Sequence, residues 1–326
     1  MSLSEPTLPR SDALGFAPDH DRPIPYMQRT RDYYLALGYA APYRWAQFAQ
    51  VPFQPLRKPL AEARVALVTT AAPFQPGKGD QGPGAPYNGA AKFYTVYSGD
   101  ADGAYDLRIS HVAYDRAHTT AADSETYFPL GQLKACAARG RVGCVARRFH
   151  GAPTNRSQRA TIEVDAPEIL ARCRADGANV ALLVPNCPVC HQTLALVARQ
   201  LEEGGIATVI MGCAKDIVEH CGVPRFLFSD FPLGNGAGRP GDVASKAFTL
   251  ELALRVLEAA PAARTTVQSP LRWSDDALWK LDYGSTRRRT PAEIKRYRRE
   301  FEVQKRSAKA VKAAEVITLP PLVGLR

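Results

Sequence analysis

The chain has no apolar run approaching the roughly 20 residues that a membrane-spanning helix requires. Its opening residues, MSLSEPTLPRSDALGFAPDHDRP, mix acids with prolines and lack the continuous apolar core of a secretory leader. A cytoplasmic protein is expected. Cysteine is sparse: seven in 326 residues are too few for a disulfide scaffold, and most are expected to be thiols. The phosphate-cradling spacings GxxxxGK[ST] and GxGxxG are missing even from the Gly/Pro-rich stretch at 76–89, PGKGDQGPGAPYNG, which reads as a connector or mobile lid. A single C-x-x-C is present, with no second pair at zinc-ribbon spacing, and no internal repeat stands out.

The net charge of +10 has no even spread. Between Arg287 and Lys312 eleven basic residues face three acidic ones, which accounts for most of the excess. No nucleic-acid motif accompanies that block, so it reads as a basic helix with a solvated face or one docked on an acidic surface, and neither nucleic acid nor membrane is an expected partner.

The stretch from Asn179 to Gly222 organises the rest. An apolar run, Val180 to Val184, breaks at Pro185-Asn186 into Cys187-Pro188-Val189-Cys190-His191. Leu194, Val197 and Leu201 then recur at helical spacing up to Gly204-Gly205, and a second apolar run follows from Ile206 to Met211. This is a strand-loop-helix-strand unit, and two parallel strands joined by a helix imply a sheet covered on both faces. The two-cysteine loop then lies at the carboxyl edge of the strands, where ligands bind in open α/β sheets.

The fold class expected is α/β, a parallel-sheet Rossmann- or flavodoxin-like core at 61–265. An extended Pro/aromatic arm precedes it at 1–60, wrapped over the core or a second subunit, and a basic helical tail follows at 266–326, anchored by Trp273 and Trp279. Strands are expected at Arg64–Thr70, Asp106–Ser110, Val142–Arg147 and Phe226–Phe228. Helices are expected near Met27–Leu37 and over Phe128–Arg139, Ala166–Asp176, Ala214–Cys221 and Val243–Ala259, the last with Val243, Ala247, Leu250, Leu254 and Leu257 on one side.

If the strands are parallel, their carboxyl ends near Thr70, Ser110, Pro185, Gly212 and Ser229 bring together His111, Asp115, Cys187, Cys190, His191, Cys213 and Asp230. A C-x-x-C at a helix start sets a thiol beside unpaired N–H groups and the positive end of the helix dipole, which favours thiolate. Either Cys187 or Cys190 is then the nucleophile and the other resolves the intermediate as a disulfide, with His191, His111 and Asp115 as acid, base or orienting groups. A competing reading makes Cys187, Cys190, His191, His111 and Cys213 donors to zinc, or to iron with Asp115 added. His220 and Cys221 fall at the opposite edge, and His20, His118 and His150 read as loop residues without a chemical role.

Three stretches, YFPLGQLKACAARGRVG at 127–143, VPNCPVCHQT through GGIATVIMG at 184–212, and DIVEHCGVPRFLFSDFPLGN at 216–235, carry a resemblance to the selenoprotein B family of glycine/sarcosine/betaine reductases and the related D-proline reductase subunit, in a cysteine-only branch. It covers roughly residues 60 to 260. The resemblance implies thiol-based reductive cleavage of a small nitrogen-containing substrate such as an amino acid derivative, centred on Cys187 and Cys190. It also implies an external dithiol or thioredoxin-like reductant and a pyruvoyl-bearing partner subunit, since nothing in this chain marks a pyruvoyl precursor. A homo-oligomer is expected. The alternatives from other classes are a metalloenzyme at the same loop and a non-catalytic subunit that binds a partner.

Overall fold

Strand β1 (Arg64–Thr69) is buried from its second residue onward and stands at the centre of the sheet. The computed structural model describes residues 21–39, 43–109, 111–154, 157–284 and 289–315. His20, Ser110, Arg287 and Arg288 lie outside the described residues, and so does the end of the strand expected at 106–110. On one side β1 pairs in parallel with β5 (Cys144–Val145) and β6 (Arg148–Gly151), and on the other with β7 (Val180–Val184). The parallel order continues outward through β8 (Ala207–Gly212), β9 (Arg225–Phe228) and β10 (Thr265–Gln268), while β3 (Tyr97–Asp100) closes the far edge antiparallel to β6. The chain therefore builds to one side of β1 and then to the other. That reversal opens a crevice at the carboxyl ends of β6, β1 and β7, the place where α/β sheets bind ligands.

Both faces of the sheet are dry because alternate residues of each strand point opposite ways. Val65, Leu67, Leu182, Val184, Val209 and Met211 pack with α2 (Leu130–Ala138) and α6 (Val243–Ala259). Ala66, Val68, Ala181, Leu183 and Ile210 pack with α3 (Ala166–Ala175), α4 (Pro188–Glu203) and α5 (Lys215–Cys221). The mixed α/β architecture with a mostly parallel sheet is the one expected from the sequence.

Three local expectations are corrected. The strand expected at 106–110 is the two-residue β4 (Leu107–Arg108), which pairs antiparallel with β2 (Ala72–Pro73) in a separate ribbon, so it contributes no edge to the main sheet. The helix expected to start at Ala166 is already running. Ser157 caps Gln158–Ala160 by accepting from Ala160 N, and a π-turn over Thr161–Asp165 leads into α3, so Pro167, which has no N–H to give, sits just beyond the irregular turn. Of the strand expected at 142–147 only the two residues of β5 are strand, and β6 begins just past its end. At the end of β6, Gly151 lies under the Tyr97 ring, where a Cβ would come within 1.8 Å of Cε1, so no side chain fits.

Helix α4 is buried on nearly every side. Its inner stripe, Leu194, Val197 and Leu201, faces the sheet, and each such burial contributes about 1.5–3 kcal/mol. Its outer side is covered by the arm. Ala46 N donates to Gln192 Oε1 at 2.6 Å, Phe48 lies 4.0 Å from the Arg199 guanidinium, and Arg225 Nη2 donates to Gln54 O at 2.9 Å. The arm thus wraps the chain's own core from residue 43 to 58. Helix α1 (Tyr26–Ala36) is tied to the core by Met27 N donating to Asp216 Oδ2 at 2.8 Å and by Arg29 donating to the carbonyls of Lys280, Leu281 and Tyr283.

The basic tail becomes α7 (Pro291–Glu315). It packs Phe301 between Tyr34 and Tyr39 at ring distances of 5.9 and 5.8 Å, and Gln304 Oε1 accepts from Gly89 N at 2.7 Å. The Gly/Pro-rich stretch is therefore held at its far end by α7, and at its start by Gln81, whose amide exchanges hydrogen bonds with the Gln75 backbone. Among the described residues no helix is long and apolar enough to cross a membrane.

Candidate functional site

Three adjacent strand ends supply the site. Thr70 follows β1, Thr154 lies three residues past β6, and Asn186-Cys187 follow β7. Cys187 is the N-cap of α4: its Sγ accepts from Cys190 N at 3.2 Å, and Pro188 occupies the first turn, where its missing N–H costs nothing. One of the first orphan donors of a 16-residue helix, Cys190 N, therefore points at sulfur. One turn on, the Cys190 side chain returns to the same place. Donor atoms of His111, Cys187 and Cys190 lie within 4.8 Å of one another, all in buried residues.

The electrostatics differ between the two thiols. Cys190 is fully buried, and desolvation alone would raise its pKa. That is outweighed by the hydrogen bond from Cys187, by the charge of His111 and by the Thr70 hydroxyl, which together hold it well below the ordinary thiol value of 9.0. Cys187 is 6% exposed and lines a cavity of about 610 Å³, to which Cys190 adds no wall. The outer sulfur faces the cavity, and the surroundings of the inner one favour its thiolate.

His111 is held by Thr154, with Nε2 2.8 Å from Oγ1, and that hydroxyl is 3.8 Å from Cys190 Sγ. The other ring nitrogen, Nδ1, is buried and has no hydrogen-bond partner among the described residues. Asn186 likewise buries both side-chain polar atoms with no partner among the described residues, while its backbone N–H donates to Thr70 Oγ1 at 3.1 Å.

The other expected site residues are not drawn into this cluster. His191 accepts at Nε2 from Cys213 N and Ala214 N at 2.9 and 3.1 Å, so Nδ1 carries the proton and donates to Cys187 O at 2.8 Å. Burial presses its pKa down to about 4. It is a neutral strut between the start of α4 and the loop after β8, and Gly212 must lack a Cβ to admit its ring. Cys213 packs with Tyr26, Ile217 and Phe231, and burial pushes its thiol up to about 12. Asp115 lines the cavity, but its carboxylate is taken by His118 Nδ1 at 3.0 Å, and burial raises its pKa from 3.8 against the pull of that histidine. Asp230 is engaged by Lys280.

Sequence reasoning missed Thr70, Thr154, Arg116 and the role of His118. Thr70 was findable as the first polar residue past a buried strand. Thr154 follows a strand whose sequence, RFHG, gives no apolar run, and His118 reaches Asp115 only because the 115–119 segment turns, with Thr119 N donating to Asp115 O at 3.0 Å.

The chain is similar to reductase components. It is 29% identical over 223 residues to the D-proline reductase subunit gamma of Acetoanaerobium sticklandii, spanning 67% of this chain and 88% of that protein. It is 27% identical over 218 residues to the glycine reductase complex component B subunit gamma of Carboxydothermus hydrogenoformans, spanning 65% of this chain and 48% of the other. The protein of the same name from Symbiobacterium thermophilum is 24% identical over 226 residues, 68% of this chain and 51% of that one. The chain thus covers most of the first relative and about half of the other two. These likenesses bear out the resemblance seen in the three sequence stretches. No family model matches the chain, and no solved structure matches it.

Proposed function

From this likeness to the gamma subunits of D-proline and glycine reductases, we propose that the chain is the thiol-bearing part of a reductase that cleaves a C–N bond in a small nitrogen-containing substrate. The observation that carries the proposal is a cavity-lining sulfur, Cys187, backed by a second, charge-stabilised sulfur, Cys190, in a helix-capping C-x-x-C. Cys187 gives its proton to a neighbouring base and attacks the carbon next to the nitrogen; a C–S bond forms, the C–N bond breaks, and the nitrogen leaves as an amine after taking a proton. The Cys190 thiolate then attacks Cys187 Sγ. An S–S bond forms, the C–S bond breaks, and the carbon takes up the electron pair and a proton. The dithiol loses two electrons and the substrate gains them, and an external dithiol resets the disulfide. His111, held by Thr154, is the group placed to move the protons. The resemblance further implies a partner subunit that activates the amine through a pyruvoyl group.

Mild oxidation of the reduced protein with diamide is the test. Two of the seven thiols are expected to be lost together, and peptide mapping is expected to recover Cys187 joined to Cys190. Persistence of both as free thiols while others oxidise would sink the proposal.

A second reading is favoured by the His111–Cys187–Cys190 cluster and the orphaned Nδ1 of His111. Two thiolates and an imidazole are three donors, the number used by catalytic zinc sites that keep a fourth position open, and iron suits the same set once a carboxylate joins. If a metal is resident, protein purified from zinc- or iron-supplemented cells carries close to one ion per chain by elemental analysis, and Cys190→Ala loses it. Protein free of metal under both conditions leaves the dithiol alone.

A further inference from the structure

The cavity that reaches Cys187 is lined by acids (Asp115, Asp282, Glu300) and bases (Arg29, Lys92, Arg116, Arg289), and the Arg116 guanidinium is hydrogen-bonded to no acid among the described residues. Arg116 donates from Nε to Ala85 O at 2.8 Å, from Nη1 to Val112 O at 3.1 Å and from Nη2 to His111 O at 2.7 Å, and its charge lies 4.0 Å over the Tyr114 ring. All three acceptors are backbone carbonyls, and among the described residues no carboxylate is bonded to it. The neighbouring acid, Asp115, is committed to His118. Burial lowers the Arg116 pKa, and the Cys187 sulfur is among the groups close enough to act on it. Arginine has five N–H donors, and three are spent on fixing the fork in place, so two remain for a ligand. A second feature concerns size. At about 610 Å³, with Tyr33, Tyr34, Tyr87, Tyr283 and Phe301 in its wall, the cavity falls in the range that holds drug-sized molecules, well beyond a free amino acid of the size of glycine or proline.

We infer that Arg116 is the anion-recognition residue of this cavity, and that the ligand it orients over Cys187 is a carboxylic acid with a large apolar or aromatic body. The inference rests on the cavity being the substrate site of the proposed reductase, though its test needs only that Cys187 can be reached. With Arg116 taking the carboxylate and the tyrosines taking the body, the carbon to be attacked is brought against the outer sulfur. Arg116 is thus a positioning residue; the chemistry belongs to the thiols.

Two alkylating reagents separate this role from a structural one. Iodoacetate and iodoacetamide deliver the same carbon to sulfur, with iodide leaving in each case, and they differ only in carboxylate against amide. Rates of Cys187 alkylation by each reagent, followed by peptide mass spectrometry, give a ratio that general loosening of the fold would leave unchanged. In the wild type iodoacetate is expected to be favoured, in Arg116→Met the ratio falls at least about tenfold, the scale of one charge-assisted hydrogen bond, and in Arg116→Lys it is intermediate. A ratio unmoved by Arg116→Met overturns the inference. Should that variant fail to fold, the wild type still decides: phenylacetate is expected to protect Cys187 from iodoacetamide at lower concentration than phenylacetamide or D-proline, and equal protection by phenylacetate and phenylacetamide overturns it. Absence of a Cys187–Cys190 disulfide after diamide would defeat the reductase reading and leave this ratio as it is.

Discussion

Cys190→Ser protein is expected to lose the ultraviolet thiolate absorbance that the wild type retains well below pH 9.0, the ordinary thiol value, and with it any reductive turnover, by at least about a thousandfold. The physical reason is that serine can take the hydrogen bonds of Cys187 and Thr70 but cannot hold a negative charge in that pocket. The first step, attack by Cys187, can still occur, so the variant is expected to accumulate the Cys187 adduct once per chain, visible as a mass increase on the peptide that contains it. Turnover at the wild-type rate, or an adduct on Cys190 in the wild type, reverses the assignment of the two sulfurs. The same thiolate makes stability depend on pH. A thiol whose folded pKa is depressed contributes stability that is complete above its unfolded value, near 9.0, and is lost as pH falls through the folded value. Chemical denaturation of the wild type and Cys190→Ser is therefore expected to show a gap that is wide at alkaline pH and closes on acidification.

Glu202→Gln is expected to destabilise the fold by about 3–5 kcal/mol, the penalty for leaving a buried cation without its partner. Glu202 and Arg225 are 0% and 1% exposed, with Oε1 accepting from Arg225 Nη1 at 2.9 Å. The same carboxylate accepts from Thr208 N and Oγ1 at 2.5 and 2.8 Å and from Gln54 N. One group thus binds the end of α4 to β8, β9 and the arm, and Phe53 covers the guanidinium at 4.1 Å. Denaturant titration measures the loss, and limited proteolysis is expected to show faster cleavage between residues 43 and 58 in the variant. The double variant Glu202→Gln/Arg225→Met is expected to lose less than the two single changes added together, because it removes the unpaired charge along with its partner. Strict additivity would show that the pair is not coupled.

What could be seen in the sequence followed burial. The runs ARVALVT, NVALLV and ATVIMG are apolar because both faces of β1, β7 and β8 are covered, and a loop between two such runs is fixed at the sheet's edge whatever its own residues are. That was enough to put Cys187 and Cys190 at the crevice. The edge strands β3 and β10, YSGD and TTVQ, are partly exposed and polar, and the inner β6, RFHG, is buried but has no apolar run, so these three were invisible or misplaced. Losing β6 hid Thr154, and with it the hydroxyl that holds His111. Proximity in sequence misled at His191, which follows Cys190 directly but leans across to the backbone of Cys213 and Ala214, because consecutive helix positions point about a quarter-turn apart.

The outer sulfur shares its cavity wall with Tyr297, Phe301 and Gln304 of α7. Disulfide exchange requires the incoming thiolate to approach along the axis of the bond it breaks. If Cys187 and Cys190 form the disulfide proposed above, the donor that resets it enters by this cavity, and a slender soluble dithiol needs less displacement of the α7 wall than a protein donor does.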